Sequence, residues 1–278
     1  MKKTIIILFT ALMPVLAGAQ AQINTKKIKI ADFPEKVTKV VLNGNDFIDL
    51  SLQEEVAARW RVSPYEFCTL EEFEELKTDD SYYFLISTKN QFRRESEPGV
   101  QFLSLLKGGK EAENGIGEML EVTVVPVAAA ENSTGREFVF LPAFLDIIQR
   151  HALESIEKDI IGYSGLAHYT EDLKNIRDKR VVFADSDLSP EMAAEEKYFS
   201  ERIVVMEEDE ADELFAEGTP GTVVSISVSP SDSANGYCYK MLIDAETHDL
   251  YYYRRHRITK KTGTGFIDED MKKISSKK

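Results

Sequence analysis

The feature that most constrains this chain is an internal repetition, in which one order of elements (strand, helix, strand, helix, and three more strands) is written twice. In the first copy Lys39-Val40-Val41-Leu42 reads as a short apolar strand. Asp49-Leu50-Ser51 then opens a helix with apolar positions at Leu52, Val56, Ala57 and Trp60. Ser51 followed three residues later by Glu54 has the spacing of a capping box. Residues 64–68 read as a second strand, and Thr69 with Glu72 caps a second helix whose Leu70, Phe73 and Leu76 share one face. Residues 81–88, rich in aromatic and β-branched side chains, make a third strand. Val100–Lys107 and 119–127 add two more, joined by a loop holding Gly108, Gly109 and Gly115.

The second copy starts at Arg180-Val181-Val182-Phe183. Leu188-Ser189-Pro190 begins its first helix, with proline at a favoured early position. Residues 202–206 form the next strand, and 207–217 form an acidic helix closed by Gly218. Strands at Thr222–Val228, Tyr237–Asp244 and 250–258 complete the copy, the last two around a turn at 245–249. Identity between the copies is low, so the repetition is one of pattern.

The expected fold class is therefore α/β (α+β): two tandem βαβαβββ units, 39–128 and 180–259, joined by a helical bridge at 129–179. Alternating strands and helices imply mixed sheets with helices on at least one face. The last strands of each unit must be antiparallel, because a short loop cannot make a parallel crossover. In the bridge, Phe140, Phe144, Ile147, Ile148, His151, Leu153 and Ile156 are spaced for a long amphipathic helix over 137–158, with a shorter one at 170–177. A basic tail, 260–278, follows. If duplication built the function, a ligand would be expected at a pseudo-twofold interface between the copies.

The N-terminus adds a compartment. Met1-Lys2-Lys3 precedes an uncharged stretch from Thr4 to Leu16 and then small residues ending in Ala19 and Ala21, the pattern of a secretory signal peptide over 1–19. That stretch is shorter than the roughly 20 residues a bilayer span requires, and Pro14 interrupts it. No cysteine near the cleavage point could carry a lipid. These features predict a secreted or periplasmic protein with no membrane insertion after cleavage. The net charge of −14 becomes more negative when Lys2 and Lys3 are lost. Such acidity argues against nucleic acid and anionic membrane surfaces as partners. An oxidising compartment would permit a disulfide between Cys68 and Cys238, although isolated cysteines also serve as buried apolar residues.

The sharpest local motif is Val181-Val182-Phe183-Ala184-Asp185-Ser186-Asp187-Leu188-Ser189. An apolar strand running into D-x-D-x-S resembles the first motif of haloacid dehalogenase-like phosphatases. The resemblance covers about nine residues. It implies a Mg²⁺-dependent phosphate-ester hydrolase with Asp185 as nucleophile and Asp187 as general acid. The sequence departs from that family downstream, where no lysine falls on the expected element and the late acidic cluster Asp268-Glu269-Asp270 lies in the tail. The corresponding place in the first copy is a polar turn, Asn43-Gly44-Asn45-Asp46. Asp and Ser are ordinary turn residues, so Asp185-Ser186-Asp187 is expected to be a turn leading into a helix.

A second candidate is the one dense basic run, Arg254-Arg255-His256-Arg257 after Tyr251-Tyr252-Tyr253. Tyr251, Tyr252, Arg254 and Arg255 could grip an anionic glycan or a lipid phosphate; alternatively, charges on an edge strand prevent unwanted pairing. His151 and Glu154 lie one helical turn apart and could form a ligand pair, while His248 sits in a turn and is expected to face solvent. The Cys and His spacings match no zinc pattern, and phosphate-loop, dinucleotide and serine-elbow motifs are missing, so no metal or cofactor is expected. The leading expectation is an exported, non-enzymatic cell-envelope protein that binds another protein or a surface polymer such as a glycan. The phosphate-ester hydrolase is the alternative.

Overall fold

The computed structural model describes residues 30–90, 98–231 and 236–276, so the stretch read as a signal peptide, 1–19, lies outside the described residues. Each copy contains the expected seven elements in order. The first runs β1 (Val37–Leu42), α1 (Asp46–Arg59), β2 (Tyr65–Thr69), α2 (Leu70–Leu76), β3 (Tyr82–Asn90), β4 (Val100–Lys107) and β5 (Leu120–Ala129). After the bridge helices α3 (Arg136–Glu157) and α4 (Asp159–Ser164), the second runs β6 (Arg180–Ala184), α5 (Pro190–Ala193), β7 (Ile203–Met206), α6 (Glu208–Ala216), β8 (Thr222–Val228), β9 (Tyr237–Asp244) and β10 (Leu250–Arg257). A final helix, α7 (Asp268–Ser275), occupies the region read as a basic tail.

The units do not share a sheet. Each forms its own five-stranded mixed sheet, ordered β2-β1-β3-β4-β5 and β7-β6-β8-β9-β10. The first three strands of each are parallel and the last two antiparallel. Because β1 lies between β2 and β3, the two parallel crossovers run in opposite directions. Right-handed connections then place α1 and α2 on opposite faces.

Two local readings are corrected. The first helix starts at Asp46, where Asn45 Oδ1 accepts the Ile48 N–H, so Ser51 is an interior residue donating its hydroxyl to the Phe47 carbonyl at 3.0 Å. Thr69 and Glu72 do form the reciprocal capping box expected of them. The second bridge segment is a 3-10 stretch over Gly165–Ile176, longer than the helix read at 170–177.

One core spans the molecule. Val40, Tyr83 and Leu85 from the first sheet and Val182, Val224 and Met241 from the second pack in a common cluster with α1, α3 and α6. Phe102 and Tyr239 meet edge to face at 5.4 Å, one ring from each sheet. The outer faces carry separate clusters, one around Phe73 of α2 and one around Met192 of α5 with Met271 and Ile274 of α7. The helix facing inward is thus the first crossover in one unit and the second crossover in the other. A twofold axis would bring like faces together, so the expected pseudo-twofold interface does not exist.

The bridge helix α3 joins the units by polar contacts as well. Asp146 accepts from Arg59 Nη1 at 3.2 Å and pairs with His248 Nδ1 at 2.7 Å. His248 is therefore held by α3 and does not simply face solvent. Gln149 Oε1 accepts the Arg61 N–H. Cys68 and Cys238 are buried free thiols in different sheets, so the disulfide considered between them is not formed. Among the described residues no helix is long and apolar enough to cross a membrane.

Candidate functional site

In open α/β sheets, ligands bind beyond the carboxyl ends of the parallel strands, where crossovers diverge. Both units reach that position and fill it with their own carboxylates. After β1, Asp49 folds back so that its two oxygens accept the N–H groups of Asn43 and Gly44 at 2.9 and 2.8 Å. Gly44 makes this turn with φ at 80°, a backbone conformation open to glycine. After β6, Asp187 Oδ1 accepts the Ser227 N–H and Arg136 Nη1, and Oδ2 accepts the Ser225 hydroxyl at 2.6 Å. Main-chain donors that would hold a phosphate in a ligand-binding sheet are thus already satisfied.

The D-x-D carboxylates have unlike environments. Asp187 is buried, whereas Asp185 is exposed and accepts the N–H of its neighbour Ser186. The small cavity of about 180 Å³ beside them is lined by Asp187, Arg136, Glu208, Asn132 and Ser229 among others, and not by Asp185. Arg136 makes a fork to Asp212 and touches Asp187 and Glu208. Burial opposes its charge, but Asp187 and Asp212 hold the guanidinium above its ordinary pKa. The arrangement pins the start of α3 to the second unit. Among the described residues no group of three Asp, Glu, His or Cys side chains is placed to hold a metal ion.

The tyrosine–arginine run is divided. Tyr251 and Tyr252 are buried, and Tyr252 donates its hydroxyl to Asp270 at 2.5 Å. Arg254 bonds Asp270 at 2.9 Å and pairs with Glu269, while Arg255 lies over the Tyr237 ring on the other face. The four residues do not form one patch. The cause is α7, which the reading as a basic tail concealed: Asp270 is fully buried and also accepts from the buried Lys240 Nζ at 2.5 Å. Burial alone would raise the Asp270 pKa, but Lys240 and Tyr252 hold it below the ordinary carboxylate range.

The remaining candidates are interior groups. Burial pushes the Cys68 thiol up to about 11 and that of Cys238 up to about 12, which leaves neither as a thiolate at neutral pH. His151 is fully buried and neither ring nitrogen has a hydrogen-bond partner. It points toward His168 and Tyr169, with ring centroids at 5.6 and 5.9 Å. Glu154 lies 3.5 Å from His168 Nε2, so the pair expected between His151 and Glu154 is replaced by one between His168 and Glu154.

What stands open is a sheet edge. Of the four edge strands, β10 is closed by Thr170, whose hydroxyl accepts the Tyr253 N–H and donates to the Tyr253 carbonyl. On β7 the outward N–H and C=O of Ile203 are both taken by Ser200. β5 carries Pro126, which has no N–H to offer. β2 differs. Thr38 pairs with Tyr65 and donates to the Pro64 carbonyl, so Pro64, Glu66 and Cys68 direct their main chain at β1. Tyr65 and Phe67 direct theirs outward, where the described residues supply no further strand. Phe67 is 37% exposed, Leu70 is 45% exposed, and the Tyr65 ring lies 5.7 Å from that of Phe67.

The sequence reading identified β2 as a strand and did not mark its edge as open. The usable signals were its shortness, its exposed aromatic residue and the strand order that two opposed crossovers impose. Comparison with known protein families, with curated proteins and with solved structures finds no match to this chain.

Proposed function

We propose that this chain is an exported cell-envelope protein that binds another protein through the β2 edge and carries out no chemistry of its own. The observation that carries this reading is that β2 combines outward main-chain groups, unused among the described residues, with exposed Phe67 and Leu70, while β10 is closed by Thr170, β5 is interrupted by Pro126 and β7 is closed at Ile203 by Ser200, though its Val205 is exposed. Exposed edges with apolar side chains are templates for strand addition, and proteins that do not use them cover or charge them. The self-satisfied strand ends support the same reading, because Asp187 is committed to Arg136, Ser225 and Ser227.

A photo-crosslinking side chain at Phe67, with a matched one at Val205 on β7, tests it in cells that make the full chain. The expected result is a discrete adduct at Phe67 and none at Val205. Equal labelling at both positions, or none at Phe67, refutes the reading. So does Mg²⁺-dependent phosphate-ester hydrolysis by the purified protein that Asp185→Asn abolishes.

A further inference from the structure

Resting on that reading, the geometry points to a partner segment of defined chemistry: an extended strand that alternates cationic with apolar residues. We infer this from what the two sides of β2 present. Along any strand, successive side chains alternate between the faces of the sheet. On the inner-core side β2 offers Tyr65 and the exposed Phe67, whose rings pack edge to face. On the outer side it offers Glu66, beside the exposed Glu71, Glu74 and Glu75 of α2, which packs over that same face through Phe73. Lys39 and Lys77 each pair with one of these carboxylates, Glu66 and Glu74.

A strand added beside Tyr65 and Phe67 would exchange main-chain hydrogen bonds with both. Its residues on the inner side would cover the two rings, which favours apolar side chains. Its residues on the outer side would face Glu66 and α2, which favours lysine or arginine. A segment with like charge there would be repelled, and one with no charge would lose the steering that an acidic surface supplies. An open groove lined by Pro34, Trp60, Pro64 and Tyr65 adjoins the start of β2, so the recognised segment would continue past it.

The test measures binding of three short synthetic peptides to the purified full chain by fluorescence anisotropy. One alternates lysine with isoleucine, the second replaces lysine by glutamate, and the third replaces it by serine. The lysine peptide is expected to bind, to weaken with added salt, and to bind about tenfold less tightly to both Phe67→Pro and Phe67→Lys, a change of about 1.4 kcal/mol. Phe67→Pro removes an outward N–H without touching the β1 ladder, and Phe67→Lys keeps every main-chain group, so the two together separate edge pairing from misfolding. Val205→Pro should leave binding unchanged. If the glutamate or serine peptide binds as tightly and shares the Phe67 dependence, the charge inference fails while the docking reading stands. If no peptide binds and Phe67 gives no crosslink in cells, both fail. If the lysine peptide binds only after residues 20–29 are removed, the chain's own Lys26-Lys27-Ile28-Lys29 is the occupant and the external partner is overturned. A dimer that Phe67→Pro dissociates would overturn it in favour of a second copy.

Discussion

His151 has no hydrogen-bond partner for either ring nitrogen and is completely enclosed, which makes it a costly place to put a proton. Burial first, and His168 second, lower its pKa from 6.5 to about 3. The sign of the consequence follows from proton binding. Below about pH 6.5 the unfolded chain takes up a proton at this position that the folded chain refuses, so stability falls as pH falls toward 3. Each pH unit across that window removes roughly 1.4 kcal/mol from this one group. His151→Phe keeps a ring against His168 and Tyr169 and deletes the titration. Urea midpoints measured at pH 7, 5 and 4 should therefore decline less steeply for His151→Phe than for the parent. Equal slopes would show that another group governs acid stability. Asp187, by contrast, is a buried carboxylate with a hydrogen-bond partner on each oxygen. Its matched partners explain why a motif with nucleophile spacing holds a structural residue.

At the scale of elements, α7 shows how a segment that reads as charged tail becomes part of the second unit. Met271 and Ile274 give it an apolar side against the outer face, and Asp270 between them meets Lys240, Tyr252 and Arg254. Removing one member of such a buried set strands the others. Asp270→Ala is expected to cost about 3–5 kcal/mol because Lys240, whose charged form burial already disfavours, loses the carboxylate that supports it, and Tyr252 and Arg254 lose the same acceptor. Asp268→Ala, whose pairs with Lys197 and Lys272 lie at the surface, should shift the midpoint far less. Denaturant midpoints of the two variants distinguish them, and similar losses would mean that α7 docks through its apolar residues alone. The same element marks the limit of sequence legibility. β4, β8 and β9 were readable to the residue because their apolar runs end at turns. The start of α1 was misread because Ser51 and Glu54 imitate a cap, while Asn45, the real one, lies in a polar turn. The partners of Asp187 and Asp270 were unreadable, since Arg136 is 51 residues from Asp187 and Lys240 is 30 from Asp270.

At the scale of the molecule, the two copies are alike in topology and unlike in use. Each supplies the same strand order, yet α1 and α6, which come from different crossovers, are the ones that share α3. The repeated topology therefore gives two sheets without a symmetric cleft, and the β2 edge is open among the described residues where the equivalent β7 edge is partly closed by Ser200. Each inner face carries one helix of its own unit, α1 or α6, and the rest of the cover is shared, because Phe140, Phe144 and Ile148 of the bridge lie in the cluster that both sheets enter. Apolar surface of that kind is stable only when both sides are present. The units should consequently unfold together. Trp60, the sole tryptophan, reports on the first unit, and Cys238 reports on the second once Cys68 is replaced by alanine. In that variant, loss of native Trp60 fluorescence and exposure of the Cys238 thiol to a labelling reagent should share one urea midpoint. Two separated midpoints would mean that each sheet holds its own core, and that the bridge helix merely tethers them.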